Sequence, residues 1–187
     1  SSDMKLNEKI HHFLRVHDNY QAMQSAIAIN PQMKEVLLFS SGLHLLQQDP
    51  FECTISYILS QCSNIPRIKL HLTDLARRYG QSVTFEDKVY NLFPQPEDLQ
   101  HLNELAFRDL RCGYRAKYLV HCIKHFSELM DCVKSSPDSV YDLLSTFEGI
   151  GPKVAACIAL FAFGDLHQFP VDRWIERFMQ QVFKTPN

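Results

Sequence analysis

Phe147-Glu148-Gly149-Ile150-Gly151-Pro152-Lys153-Val154-Ala155-Ala156 decides how this chain is read. Two glycines flank one apolar residue, and a proline follows where a new helix can begin. The glycines permit positive φ and close backbone approach. Ile150 is expected to tuck back between the two helices and hold the hairpin. Main-chain N–H groups of Gly149, Ile150, Gly151 and Val154, at the start of the following helix, would then face outward, a good seat for a phosphate. An ordinary αα-corner explains these residues equally well.

Lys153 sharpens the case. It falls in the first helical turn, where the helix dipole disfavours a cation and a purely structural choice would be Asp or Glu. A base docked over it would disfavour the ammonium further, which is how an amine becomes a nucleophile near neutral pH. Farther on, Phe169-Pro170-Val171-Asp172 places Asp172 as the N-cap of a last helix from Arg173 to Phe183. A fixed carboxylate there can stabilise a developing sugar cation and accept a proton from the attacking amine. A plain N-cap accounts for Asp172 alone, but not for the lysine.

The rest of the chain reads as all-α. Asp49-Pro50-Phe51-Glu52 is an N-cap with proline at the first position and glutamate at the third. Phe51, Ile55, Ile58, Leu59 and Cys62 then repeat as one buried stripe. A second helix is expected from about Pro66 to Tyr79 with Gly80 as its stop, and the stretch 81–95 reads as a loop. A short helix precedes Gly113, and a long one runs from about Tyr114 to Val133. Its apolar side comes from Leu119, Cys122, Ile123, Phe126, Leu129 and Met130. Ser136-Pro137-Asp138 should cap a helix reaching Phe147, and the stretch from Leu6 to Leu46 is also helical, with Pro31 opening a new segment. Two parts are expected: an N-terminal helical segment over 1–48, belonging to a second lobe, and a core over 49–187.

Composition is ordinary for a globular protein, with 45% hydrophobic and 21% charged residues in 187. The longest apolar run is too short to cross a bilayer, and no secretory leader opens the chain, so an intracellular protein is expected. None of the six cysteines forms a C-x-x-C pair, which argues against a zinc knuckle or an iron–sulfur loop and for buried free thiols. His121 and His125 have metal-pair spacing on a helix but no third ligand nearby, so no metal is expected. A formal charge of −2 excludes a polycation. Arg67, Lys69, Arg77, Arg78, Arg108, Arg111, Arg115 and Lys117 crowd the middle third, a permissive sign for nucleic-acid binding.

Taken together these motifs resemble a known family. The run from Phe147 to Asp172 is similar to the helix-hairpin-helix and Gly/Pro-Asp signature of the base-excision DNA glycosylases, with lysine where the bifunctional members have it. Gln48 to Ile68, including Ser60-Gln61-Cys62-Ser63-Asn64-Ile65-Pro66-Arg67, resembles the opening helix of the 8-oxoguanine DNA glycosylases, and Gly113-Tyr114-Arg115-Ala116-Lys117-Tyr118 resembles their Gly-Tyr-Arg-Ala segment. The three matches keep family order from about Leu45 to Phe178.

The resemblance implies a two-lobed helical glycosylase core and a bifunctional glycosylase/lyase acting on 8-oxoguanine opposite cytosine. Its partner would be double-stranded DNA carrying a damaged base, and it would work as a monomer with no cofactor, in a nucleus or a bacterial cytoplasm. It also implies Lys153 as nucleophile with Asp172 in support, Arg67 and Arg115 reading the cytosine, Tyr114 as an aromatic wedge, and Cys157 lining the base pocket. Without the family, Tyr114 is a helix-start aromatic and Cys157 a core thiol.

The sequence also departs from the pattern. Cys62 and Ser63 replace common asparagines, so weaker opposite-base selectivity is expected, and Trp174 replaces a common histidine. The N-terminal β domain of many relatives and their last C-terminal helices are expected to be missing. Competing readings are an alkylpurine glycosylase, which Lys153 opposes, a non-catalytic helix-hairpin-helix DNA-binding module, and a protein-interaction domain.

Overall fold

The computed structural model describes residues 2–40 and 42–183. The described residues are mostly helical, with one small two-stranded sheet, which bears out the all-α expectation. The chain divides into two compact units, 1–48 and 49–187. No helix among the described residues is long and apolar enough to cross a membrane.

The first unit holds α1 (Ser2–Leu14), α2 (Tyr20–Ile27) and α3 (Pro31–Phe39). Asn19 caps α2 through the amide of Ala22, and Asn30 caps α3 through those of Gln32 and Met33. Pro31 opens α3 because the first helical position needs no N–H donor. No side chain described in this unit is fully buried, as expected of a segment too short for its own core.

The second unit contains the core. Its helices are α4 (Pro50–Ser60), α5 (Ile65–Tyr79), α6 (Pro96–Leu99), α7 (Glu104–Asp109), α8 (Ala116–Ser135), α9 (Val140–Ser145), α10 (Pro152–Phe163) and α11 (Arg173–Phe183). Asp49 caps α4 by accepting from the amides of Phe51 and Glu52, each at 2.9 Å. Phe51, Ile55, Ile58 and Leu59 are buried along α4, and Leu119, Cys122, Ile123, Phe126 and Leu129 along α8. The central helix is α10, packed chiefly on α4 and α9. Its Ala155, Ala156, Ala159 and Ala162 are all buried, and side chains this small let neighbouring helices approach closely. Gly164 ends α10 in the left-handed conformation, at φ 73°.

Four sequence expectations need correction. The stretch 81–95 contains an antiparallel hairpin, β1 (Ser82–Phe85) with β2 (Lys88–Asn91), in which Val83 pairs with Tyr90. Its two-residue turn, Glu86-Asp87, has φ 45° and 60° with no glycine, so the usual Asn-Gly or Asp-Gly signal is absent. Cys62 leaves the buried stripe, because α4 stops at Ser60 and Cys62 takes a left-handed φ of 47° in an exposed position. Ser136 caps nothing with its side chain: a 3-10 turn over Pro137–Ser139 comes first, and α9 ends at Ser145.

Gly80 stops α5, but not through a left-handed φ. It has φ −82°, and a Cβ there would lie 1.8 Å from the carbonyl oxygen of Leu92. The glycine is needed so that the segment leaving the hairpin can pass close by.

Candidate active site

The turn between α9 and α10 is set by one glycine. Gly149 has φ 85°, and a Cβ there would fall 2.1 Å from Cγ of Tyr118. Both the handedness and the ring contact therefore exclude a side chain. Gly149→Ala should cost about 1–3 kcal/mol from overpacking, with backbone strain in addition. Thermal unfolding measures this directly, and an unchanged Tm would refute the contact.

Gly151 behaves differently from the sequence expectation of positive φ. It has φ −80° and ψ 172° as the N-cap of α10, and a Cβ there would meet nothing within 4 Å. No side chain caps this helix, and Pro152 has no N–H. The amides of Lys153 and Val154 thus begin the helix without intrahelical acceptors, beside open space. Ile150 and Val154 are 4% and 8% exposed, so their side chains belong to the core and only their main chains are available outward. Nearby, Lys117 Nζ donates to Glu148 at 2.8 Å, offsetting the one carboxylate on the turn itself.

Lys153 lies in the first turn of α10 and is exposed. Asp172 Oδ1 accepts from the amides of Trp174 and Ile175, both at 2.9 Å, and so starts α11 as an N-cap. These bonds, the Ile175 amide foremost, hold the Asp172 carboxyl below its ordinary range, and the Lys153 ammonium adds to the effect. The same ammonium acts on the Cys157 thiol, so amine, carboxylate and thiol share one electrostatic neighbourhood. Burial is the larger influence on Cys157 and pushes its thiol up. The Tyr57 hydroxyl is within hydrogen-bonding reach of that sulfur, and its ring stacks on Phe161 with centroids 6.1 Å apart. Burial pushes the Tyr57 phenol up as well, so phenol and thiol both favour their uncharged forms.

The Asp172 shift fixes a sign. A carboxyl titrating lower in the folded state than in the unfolded one contributes stability that is present above the unfolded value near 3.8. That contribution disappears as pH falls through the lower folded value. An NMR titration of the Asp172 carboxyl carbon is expected to give a midpoint below 3.8. A midpoint at or above it would mean that the cap and the lysine do not act on this group.

The elements expected to face an opposite strand are arranged less simply. Arg67 is exposed in the first turn of α5, whose N-cap Asn64 accepts from the Arg67 amide at 3.0 Å. Tyr114 is 46% exposed, on a 3-10 turn over Gly113–Arg115. Arg115, however, is only 4% exposed, and its guanidinium turns inward. Its Nε donates to the Gln61 carbonyl at 2.8 Å, its Nη2 to the carbonyls of Gln61 and Cys62, and its Nη1 to that of Cys112. The expected outward Arg115 is therefore not what this conformation presents. The left-handed Cys62 directs carbonyls inward, and a five-donor guanidinium is suited to satisfy them. His71 is buried with Nδ1 3.1 Å from the Leu110 carbonyl, and burial, helped by the charges of Arg67 and Arg115, pushes its imidazole below the ordinary value.

Sequence reasoning missed Gln61 and Tyr57. Gln61 Nε2 donates to the Gly149 carbonyl at 2.7 Å, across 88 positions of chain, and no local spacing announces such a bond.

No family model matches the chain. It is 37% identical over 171 residues to a probable N-glycosylase/DNA lyase of Methanothermobacter thermautotrophicus, covering 79% of this chain and 55% of that protein. The crystal structure of the Clostridium acetobutylicum 8-oxoguanine glycosylase/lyase in its apo-form superimposes with a TM-score of 0.91 at 28% identity, over 98% of this chain and 66% of that one. The same enzyme in complex with double-stranded DNA containing cytosine opposite 8-oxoguanine gives 0.87 at 29% identity, over 95% of this chain and 62% of that one. The chain spans about half the length of the curated relatives it matches. With the turn at Gly149–Gly151, the lysine that follows and the capped aspartate in place, the chain shares the fold of the helix-hairpin-helix DNA glycosylases and is similar in sequence to the N-glycosylase/DNA lyases.

Proposed function

We propose that this chain carries the reaction centre of a bifunctional DNA glycosylase/lyase that removes 8-oxoguanine opposite cytosine. What supports this reading is an exposed amine, Lys153, at a helix start that no side chain caps, together with an Asp172 carboxylate held by two amides, its pKa lowered further by the Lys153 charge. The damaged nucleotide leaves the stack, and its sugar lies over Lys153. Lys153 first gives up its extra proton to water, the freed Nζ lone pair forms a bond to C1′ as the bond to the base breaks, and the departing base takes up a proton from water. Asp172 stabilises positive charge on the sugar as this happens and accepts a proton from the attached amine. Ring opening gives a Schiff base. Loss of a proton from C2′ then expels the 3′ phosphate by β-elimination, and water releases the amine. Side chains and water balance every step, so the scheme calls for no redox group.

The uncharged, hydrogen-bonded pair of Cys157 and Tyr57 suits an uncharged purine face. The open amides of the α10 start suit a backbone phosphate, with the Ile150 and Val154 side chains holding the turn from within. Arg67, exposed in the first turn of α5, is the residue we assign to reading the opposite base. Work on genomic DNA implies an intracellular protein.

The deciding experiment incubates the protein with duplex carrying 8-oxoguanine opposite cytosine and adds borohydride. A covalent adduct supports the reading, and binding without adduct from folded protein favours a non-catalytic DNA-binding module. The phosphate seat has its own test in Gly151→Ala. With open space around the new methyl, stability should stay within about 1 kcal/mol of wild type, while duplex affinity falls about tenfold through loss of a charge-assisted bond. Unchanged affinity would remove the phosphate from this turn.

A further inference from the structure

Gln61 touches both DNA-facing pieces of the second unit. Its side-chain amide donates to the Gly149 carbonyl at 2.7 Å, one peptide before the open Gly151. Its own carbonyl accepts from Arg115, and from the Tyr114 hydroxyl at 3.4 Å. The next carbonyl, on Cys62, accepts from the same guanidinium at 3.1 Å. One residue at the end of α4 thus fastens the turn that faces a phosphate to the segment that faces the opposite base.

We infer that Gln61 is a positioning residue for opposite-base selectivity: it sets the Tyr114–Arg115 segment in register with the hairpin, so that a duplex gripped at the hairpin meets the reading segment at one fixed spacing. The inference rests on the glycosylase reading for its meaning, but it concerns how DNA is held rather than the chemistry at Lys153. Gln61 touches no reacting atom. Were it only a brace, its loss would lower Tm and leave the ranking of opposite bases untouched.

Gln61→Met preserves length and removes the donor, and Gln61→Glu sets a carboxylate oxygen against the Gly149 carbonyl. The probe is duplex carrying a tetrahydrofuran abasic site opposite each of the four bases, with affinity measured for each. In Gln61→Met the preference for cytosine over the other bases should fall about fivefold, the scale of one neutral hydrogen bond. Arg115→Met should flatten the preference similarly, and the double variant should be no worse than the worse single, because both changes break one tie. In excision assays the effect should fall on KM, with kcat at saturating DNA within about twofold.

An unchanged preference in Gln61→Met overturns the inference, as do losses that multiply in the double variant, or a wild type that binds all four duplexes equally. If both Gln61 variants unfold, wild type labelled at glutamine side chains decides. The Gln61 amide signal should differ between cytosine and adenine complexes, and one identical signal in all four overturns the coupling. These readouts are binding measurements, so a wild type that gives no borohydride adduct would refute the catalytic reading without deciding this one.

Discussion

Lys153→Gln is expected to abolish the borohydride-trapped adduct and to lower lesion cleavage by on the order of a thousandfold or more, the scale of losing a nucleophile. Gln61 and the hairpin are untouched by this change, so binding to an abasic-analogue duplex should persist. The fold should not suffer either. Lys153 is exposed, and the α10 dipole that disfavours its charge opposes the attraction of Asp172 for it, so its removal should leave stability within about 1 kcal/mol of wild type. Activity and stability therefore move independently, which no unfolding artefact reproduces. An adduct of wild-type intensity from Lys153→Gln would place the amine elsewhere and end the mechanism proposed above.

Asp172→Asn should separate the two duties of that side chain. Asparagine is as good an N-cap as aspartate, so the bonds now accepted from Trp174 and Ile175 can be kept and stability should hold within about 1 kcal/mol. The charge facing Lys153 is lost, and excision should drop about a hundred- to a thousandfold. Asp172→Ala should lose the charge and the cap together, adding roughly 0.5–2 kcal/mol of destabilisation. Single-turnover excision alongside thermal unfolding checks both. If Asp172→Asn excises at the wild-type rate, Asp172 is a cap and nothing more.

Both predictions were legible in the sequence because they depend on local chemistry. An N-cap needs an acceptor two or three residues before its donors, and a helix start after Gly-Pro needs no partner from elsewhere. Asp49, Asn30 and Asp172 all follow this rule. The stripes of α4 and α8 follow helical spacing in the same way. Where the reading failed, the missing information was a contact or an unusual backbone. The β1–β2 turn takes left-handed φ at Glu86 and Asp87 without the glycine that advertises it. Cys62 looked like the last member of a stripe, yet the chain turns there instead of continuing the helix.

The sequence by itself determined that the chain is helical, that a tight turn precedes Lys153, and that Asp172 opens the last helix, because each is a matter of neighbours within four residues. Only the tertiary structure decided that the Lys153 charge acts on both Asp172 and Cys157, that the Arg115 guanidinium is spent on carbonyls, and that Gly80 and Gly149 yield space to Leu92 and Tyr118. A hydrogen bond such as Gln61 to Gly149 forms between groups that packing happens to bring within 2.7 Å, and no periodicity along the chain records that distance.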